Sequence, residues 1–128
     1  MVTSNLKKPG KGMSRADAQK ILSEVSYDKG FHFFMTDGHY TGETAISLST
    51  FSKELVSVDI QSVRYHFDRG DFQKWIRTMI GDDELANRID DLAKICPTEE
   101  ALQKNLNEVV AKRLRELKSL SESVASYY

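Results

Sequence analysis

With 128 residues, 40% of them hydrophobic and 29% charged, the chain is sized for one hydrophobic core that needs no disulfide to hold it. Eighteen basic against nineteen acidic residues give a net charge of −1, which excludes the broad basic footprint that captures nucleic acid or an anionic membrane. A single cysteine, Cys96, excludes an internal disulfide, and no apolar run approaches the roughly 20 residues that span a bilayer.

The N-terminal stretch, residues 1–13, contains Lys7-Lys8-Pro9-Gly10-Lys11-Gly12. Such a composition buries too little surface to offset its ordering entropy, so a flexible tail is expected. No apolar segment follows these lysines as it would in a secretory signal, and a cytoplasmic protein is expected. Ser14 then opens a helix, with Asp17 three residues on as the second half of a capping box. Ala18, Ile21, Leu22 and Val25 give that helix one apolar face, and Gly30 ends the region. Phe31-His32-Phe33-Phe34-Met35 is short and aromatic. Asp37-Gly38 is a hairpin turn signal, and Tyr40 to Ile46 supplies a return strand, so a small β-hairpin is predicted over about residues 31–46.

Five more helices follow from caps and periodicity. Ser47 caps one whose buried face is Leu48, Phe51 and Leu55, stapled by Ile46. Asp59 caps the next, which carries Ile60, Val63 and Phe67 to a left-handed stop at Gly70. Asp71 restarts the chain as another N-cap, and Phe72, Trp75, Ile76, Met79 and Ile80 follow the full amphipathic template. After Gly81, the acidic residues Asp82, Asp83 and Glu84 mark a helix start, and Leu85, Ile89, Leu92 and Cys96 share its stripe. Pro97 stops it. Thr98 caps a final long helix, predicted from Glu99 to about Val124, with Leu102, Leu106, Val110, Leu114, Leu117, Leu120 and Val124 inside and Lys112, Arg113, Arg115 and Lys118 outside. The fold class is mainly α: a compact bundle of five to six short helices with one small β-hairpin and a long C-terminal helix. Residues 14–97 form the helical domain, and residues 98–128 pack on it or on a partner.

Phe31-His32-Phe33, Gly42, Ala45, Ser47-Leu48, Phe51, Tyr65-His66, Arg69-Gly70-Asp71-Phe72, Trp75-Ile76, Gly81-Asp82 and Leu85-Ala86 together resemble a small prokaryotic, largely archaeal, domain family of unknown function. The likeness covers roughly Phe31 to Ile89, leaving out the first helix and the last. It implies a domain found alone or as an accessory on larger proteins, carbohydrate-active ones such as glycosyltransferases among them. It implies no catalytic residue.

Residue chemistry narrows the site candidates. His66 with Asp68 or Asp71 has the makings of an acid–base pair, but a buried histidine bonded across a helix break, beside an N-cap aspartate, accounts for the same residues. His32, His39, His66 and Cys96 show no zinc spacing, so no metal and no cofactor is expected. Most aromatics fall at core spacing. Tyr65, Phe34 and Tyr40 are left over, and with His66, Arg69 and Asp71 they are the candidate ligand contacts. Arg69-Gly70-Asp71 is read as a helix junction, not an adhesion signal, and no phosphate-binding or nucleophile motif occurs. The leading expectation is a non-catalytic interaction or ligand-binding module. A protein partner or a second copy would meet the C-terminal helix at Leu106, Val110, Leu117, Leu120 and Val124. The alternative is a small enzyme or carbohydrate-binding unit using His66, Arg69 and Asp71 with Tyr65. It requires His66 and Arg69 to converge on an open cleft with shifted titration. Nucleic acid held by the basic face of the last helix is a further, weaker reading.

Overall fold

Side chains satisfy the first amides of most of the helices. In the computed structural model, which describes residues 13–95 and 97–122, Ser14 caps α1 (Arg15–Leu22), and Asp17 completes the capping box. Ser47 caps α2 (Leu48–Ser57) by accepting from the Thr50 amide, and Asp59 caps α3 (Ile60–Arg69). Gly70, at φ +74°, closes α3 and opens the five-residue α4 (Asp71–Trp75). Asp82 caps α5 (Asp83–Lys94), and the Thr98 hydroxyl accepts from the Ala101 amide at the start of α6 (Glu99–Glu122). Between α1 and α2 lies an antiparallel hairpin of β1 (Phe31–Phe34) and β2 (Tyr40–Ala45). The order is the expected one: a mainly helical bundle, one hairpin and a long last helix. Residues 1–12, Cys96 and Val124, which figured in the tail, stripe and interface expectations, lie outside the described residues. Met13, assigned to the tail, packs on the core.

The core is aromatic at its centre. Phe33, Phe51 and Phe72 are fully buried. Phe33 stacks on Phe51 at 6.1 Å, and Phe51 meets Phe72 edge-on at 5.4 Å. Trp75 is buried beside them, and its indole N–H donates to the Lys29 carbonyl at 2.8 Å. That bond ties the 3-10 turn Tyr27–Lys29, at the root of the hairpin, to α4.

Three local expectations are corrected. The helix predicted to run unbroken from Asp71 to Ile80 is α-helical only to Trp75; Ile76–Ile80 form a π-helical turn. The Ile76 carbonyl accepts from both the Gly81 and Asp82 amides, at 2.7 and 3.1 Å. The wider turn holds an extra residue, so Met79, read as core, rotates outward and is exposed. Arg113, read as part of the basic outer face, sits on the buried stripe of α6 with Leu102, Leu106, Val110 and Leu117. Finally, Leu106, Val110 and Leu117 were candidates for a partner's surface. They lie instead in the chain's own core, because α6 packs across α1, α2, α3 and α5, and Leu120 packs partly against it.

Candidate functional site

The helix junction at Gly70 is what gathers the candidate residues. A left-handed residue suits glycine, which has no Cβ to clash, and the chain turns there from α3 straight into α4. The last turn of α3 and the first residue of α4 thereby meet at one corner. His66 and Arg69 come from α3, Asp71 from α4. The expected N-cap role of Asp71 is corrected: Gly70 holds the cap position without a side-chain bond. The Asp71 carboxylate turns back instead, where Oδ2 accepts from His66 Nδ1 at 2.8 Å and from Arg69 Nε at 3.0 Å. Two such charge-assisted or polarised bonds outweigh one capping bond.

His66 is only 4% exposed, and both ring nitrogens are engaged. The Phe34 backbone N–H donates to Nε2 at 2.9 Å, so the ring hydrogen sits on Nδ1 and points at Asp71. One helical turn earlier, the Ser62 hydroxyl donates to the Phe34 carbonyl at 2.7 Å. The pair Ser62 and His66, four apart on one helix face, thus meets both backbone groups of Phe34, as a neighbouring strand would. Ser62 was not singled out by sequence reasoning. A serine one turn before a histidine on a buried face was its only signal. Burial pushes the His66 imidazole below its ordinary pKa; Asp71 pulls the other way, and Arg69 adds to the lowering.

A cleft of about 480 Å³ separates the hairpin from this corner. Phe31, His32 and Phe34 line it from β1, and Tyr65, His66, Arg69 and Asp71 from the corner. Gly30 forms part of the wall because nothing larger fits: a Cβ there would lie 2.8 Å from the Ala45 carbonyl oxygen and 2.9 Å from the Thr44 methyl. The Arg69 guanidinium lies over the Tyr65 ring, 5.1 Å from its centroid, a cation–π arrangement. Arg69 is 58% exposed, and Asp71 27%. Among the described residues, the Arg69 terminal nitrogens and Asp71 Oδ1 have no hydrogen-bond partner. The rim therefore offers donors and an acceptor side by side beside aromatic walls.

Five of the six candidate contacts (Phe34, Tyr65, His66, Arg69, Asp71) therefore line one cleft. Tyr40 does not; it backs Phe34 at 5.6 Å, and its hydroxyl bonds with those of Tyr27 and Thr44. Asp68 pairs with Arg64 on the surface. His32 bonds Thr44 at 2.8 Å, and His39 is exposed at the hairpin turn. Among the described residues, no three His, Cys, Asp or Glu side chains gather to hold a metal ion. No described helix is long and apolar enough to cross a membrane. The cleft and shifted imidazole that the acid–base alternative required are both present, but Nε2 faces the Phe34 N–H, so a proton reaches it only by displacing that amide.

A second cleft, about 660 Å³, lies between α1 and the start of α5, with Asp17, Lys20, Asp83 and Asn87 on its walls. Its floor is Asp82, whose two oxygens accept from Arg113 Nε and Nη2, each at 2.8 Å. Glu84, also on its wall, is paired with Arg88.

Residues 13–111 match a family described as a family of unknown function, DUF5752. The match is wider than the stretch from Phe31 to Ile89 on which the resemblance rested, for it takes in α1 and half of α6. No curated protein and no solved structure matches the chain.

Proposed function

The chain belongs to the DUF5752 family, and on that premise we propose that it is a non-catalytic ligand-binding module whose ligand occupies the cleft between the hairpin and the α3–α4 corner. The observation that carries the proposal is the rim: Arg69 and Asp71 neutralise each other through one bond, yet keep free donors and a free acceptor beside Tyr65 and Phe34. Concave, largely aromatic sites with a few placed polar groups are the usual form of small-molecule sites. The commitment of both His66 nitrogens argues for binding over acid–base turnover. Because the Arg69–Asp71 pair is neutral overall and no lysine among the described residues lines the cleft, a neutral ligand fits better than a phosphate.

A neutral sugar ring is the second reading. Its apolar face suits Tyr65 and Phe34, and its adjacent hydroxyls suit the Arg69 nitrogens and Asp71 Oδ1. The C-terminal helix takes no part in this proposal, since its stripe is spent on the core. The nucleic-acid reading loses Arg113 from its basic face to the ion pair with Asp82.

The test is an amide NMR titration with neutral monosaccharides, nucleosides and free amino acids as probes. One class is expected to move the resonances of Phe34, Tyr65, Arg69 and Asp71 together, and Arg69→Ala to weaken its binding about tenfold, the worth of one hydrogen bond to a charged group. If the shifts fall elsewhere, or if Arg69→Ala binds as well as wild type, the cleft is not the site.

A further inference from the structure

We propose that His66 is a proton-operated latch on the cleft: a proton taken up at Nε2 expels the Phe34 amide and frees the end of β1 from the α3–α4 corner. This inference rests on the reading that the cleft binds a ligand, and it adds how the cleft is regulated. Three observations carry it.

First, the bond that joins the two walls of the cleft is the one a proton would abolish. Neutral His66 accepts the Phe34 N–H at Nε2. Once protonated, Nε2 becomes a donor facing a donor, so the bond is lost and the two hydrogens repel. The incoming proton comes from solvent and binds the Nε2 lone pair. The Nδ1 proton stays in place, and its bond to Asp71 Oδ2 becomes an ion pair. The corner itself therefore survives protonation while its link to the hairpin does not.

Second, among the described residues no further carboxylate stands near the ring to hold the new proton in place of the Phe34 amide. The charged or titratable groups around the ring are Tyr65 and Arg69 from α3 and Asp71 from α4. β1 presents only the rings of Phe31, Phe33 and Phe34 to it. Asp71 is the single carboxylate of the set, and it is already bonded on the opposite side of the ring.

Third, the sign of the titration agrees. Burial lowers the His66 pKa from 6.5 despite Asp71. The unfolded chain therefore binds this proton more readily than the folded one; the contact's contribution to stability is fully present above pH 6.5 and is lost as pH falls through the lower folded value, where the contact itself breaks. What remains to hold the Phe34 end of β1 is the hairpin's own bonding (the pairing with Tyr40, the Thr41 hydroxyl on the Phe33 carbonyl and the Met35 amide on the His39 carbonyl) and the Ser62 hydroxyl.

The experiment needs no ligand, so its failure would leave the binding proposal standing, and the failure of binding would leave the latch standing. Imidazole 15N shifts report the protonation of His66, while amide hydrogen exchange, corrected for intrinsic rates, reports the protection of Phe34. The expected result is that Phe34 protection falls at least about tenfold as His66 protonates, while α5 and α6 amides keep theirs. In His66→Gln, whose side-chain oxygen accepts at every pH, Phe34 protection should stay flat. Should that variant not fold, Asp71→Asn serves: without the carboxylate that favours the imidazolium, the loss of Phe34 protection should move to lower pH. The proposal is overturned if Phe34 stays protected while the imidazole titrates, if all amides lose protection together, or if His66 takes no proton before the chain unfolds.

Discussion

Asp82 and Arg113 are 1% and 4% exposed, the most deeply buried opposite charges among the described residues, and they meet through two parallel bonds of 2.8 Å. Bidentate geometry recovers much of what it costs to take both ions out of water, but either one left alone recovers none of it. Glu116, 3.3 Å from Arg113 and also bonded to Arg88, is too shared and too exposed to replace Asp82. Asp82→Ala is therefore expected to cost about 3–5 kcal/mol in urea unfolding, and the double variant Asp82→Ala/Arg113→Met to regain most of it. A double variant no more stable than the single one would show that the aspartate acts chiefly as the α5 cap. Residue-scale partners of this kind are what sequence reading misses. Periodicity assigns a residue to a face, but Arg113 and Asp82 are 31 positions apart, and only their packing shows that a charge on the buried stripe is matched. Asp71 was misread for the related reason that a cap is a local pattern, whereas its actual partner is fixed by where the helix break aims it.

Helix ends, by contrast, were legible at the scale of elements, because capping is chemistry between neighbours in the chain. Ser14 with Asp17, Ser47, Asp59, Gly70 and Thr98 each act where the sequence places them. The π turn at Ile76–Ile80 was not legible, since residues that read as a regular amphipathic helix carry no mark of a widened turn. Gly70 matters most among these ends, because it aims α4 and with it Asp71. A Cβ there meets no atom within 4 Å, so the cost of Gly70→Ala is conformational alone, about 1–2 kcal/mol for holding a non-glycine residue at positive φ. Denaturation midpoints should register that loss without a change in m-value; a midpoint equal to wild type would mean the junction relaxes at no cost.

For the molecule as a whole, α6 is structural. Leu102, Leu106, Val110 and Leu117 are essentially inaccessible, and the helix touches α1, α2, α3 and α5 at once. A chain ending at Pro97 is expected to lose cooperative thermal unfolding altogether; a sharp calorimetric transition in that truncation would show that residues 14–97 fold without the helix. The fold class was legible because the bundle is written in repeated local signals. The cleft was legible in part: Tyr65, His66, Arg69 and Asp71 fall within one short stretch, so one helix junction gathers them, and Phe34 stood out as an aromatic that core spacing did not absorb. The opposite wall, and the bond from the Phe34 amide to His66, depend on a contact between residues 32 apart, which no spacing rule reaches.

The bond from the indole of Trp75 to the Lys29 carbonyl has one more consequence. This is the chain's single tryptophan, so its intrinsic fluorescence comes from one known address. That address is one residue before Gly30, where the wall of the cleft begins. A loosening of the hairpin root that admits water to the ring edge would shift the emission to the red, giving the molecule a built-in optical readout with no attached dye.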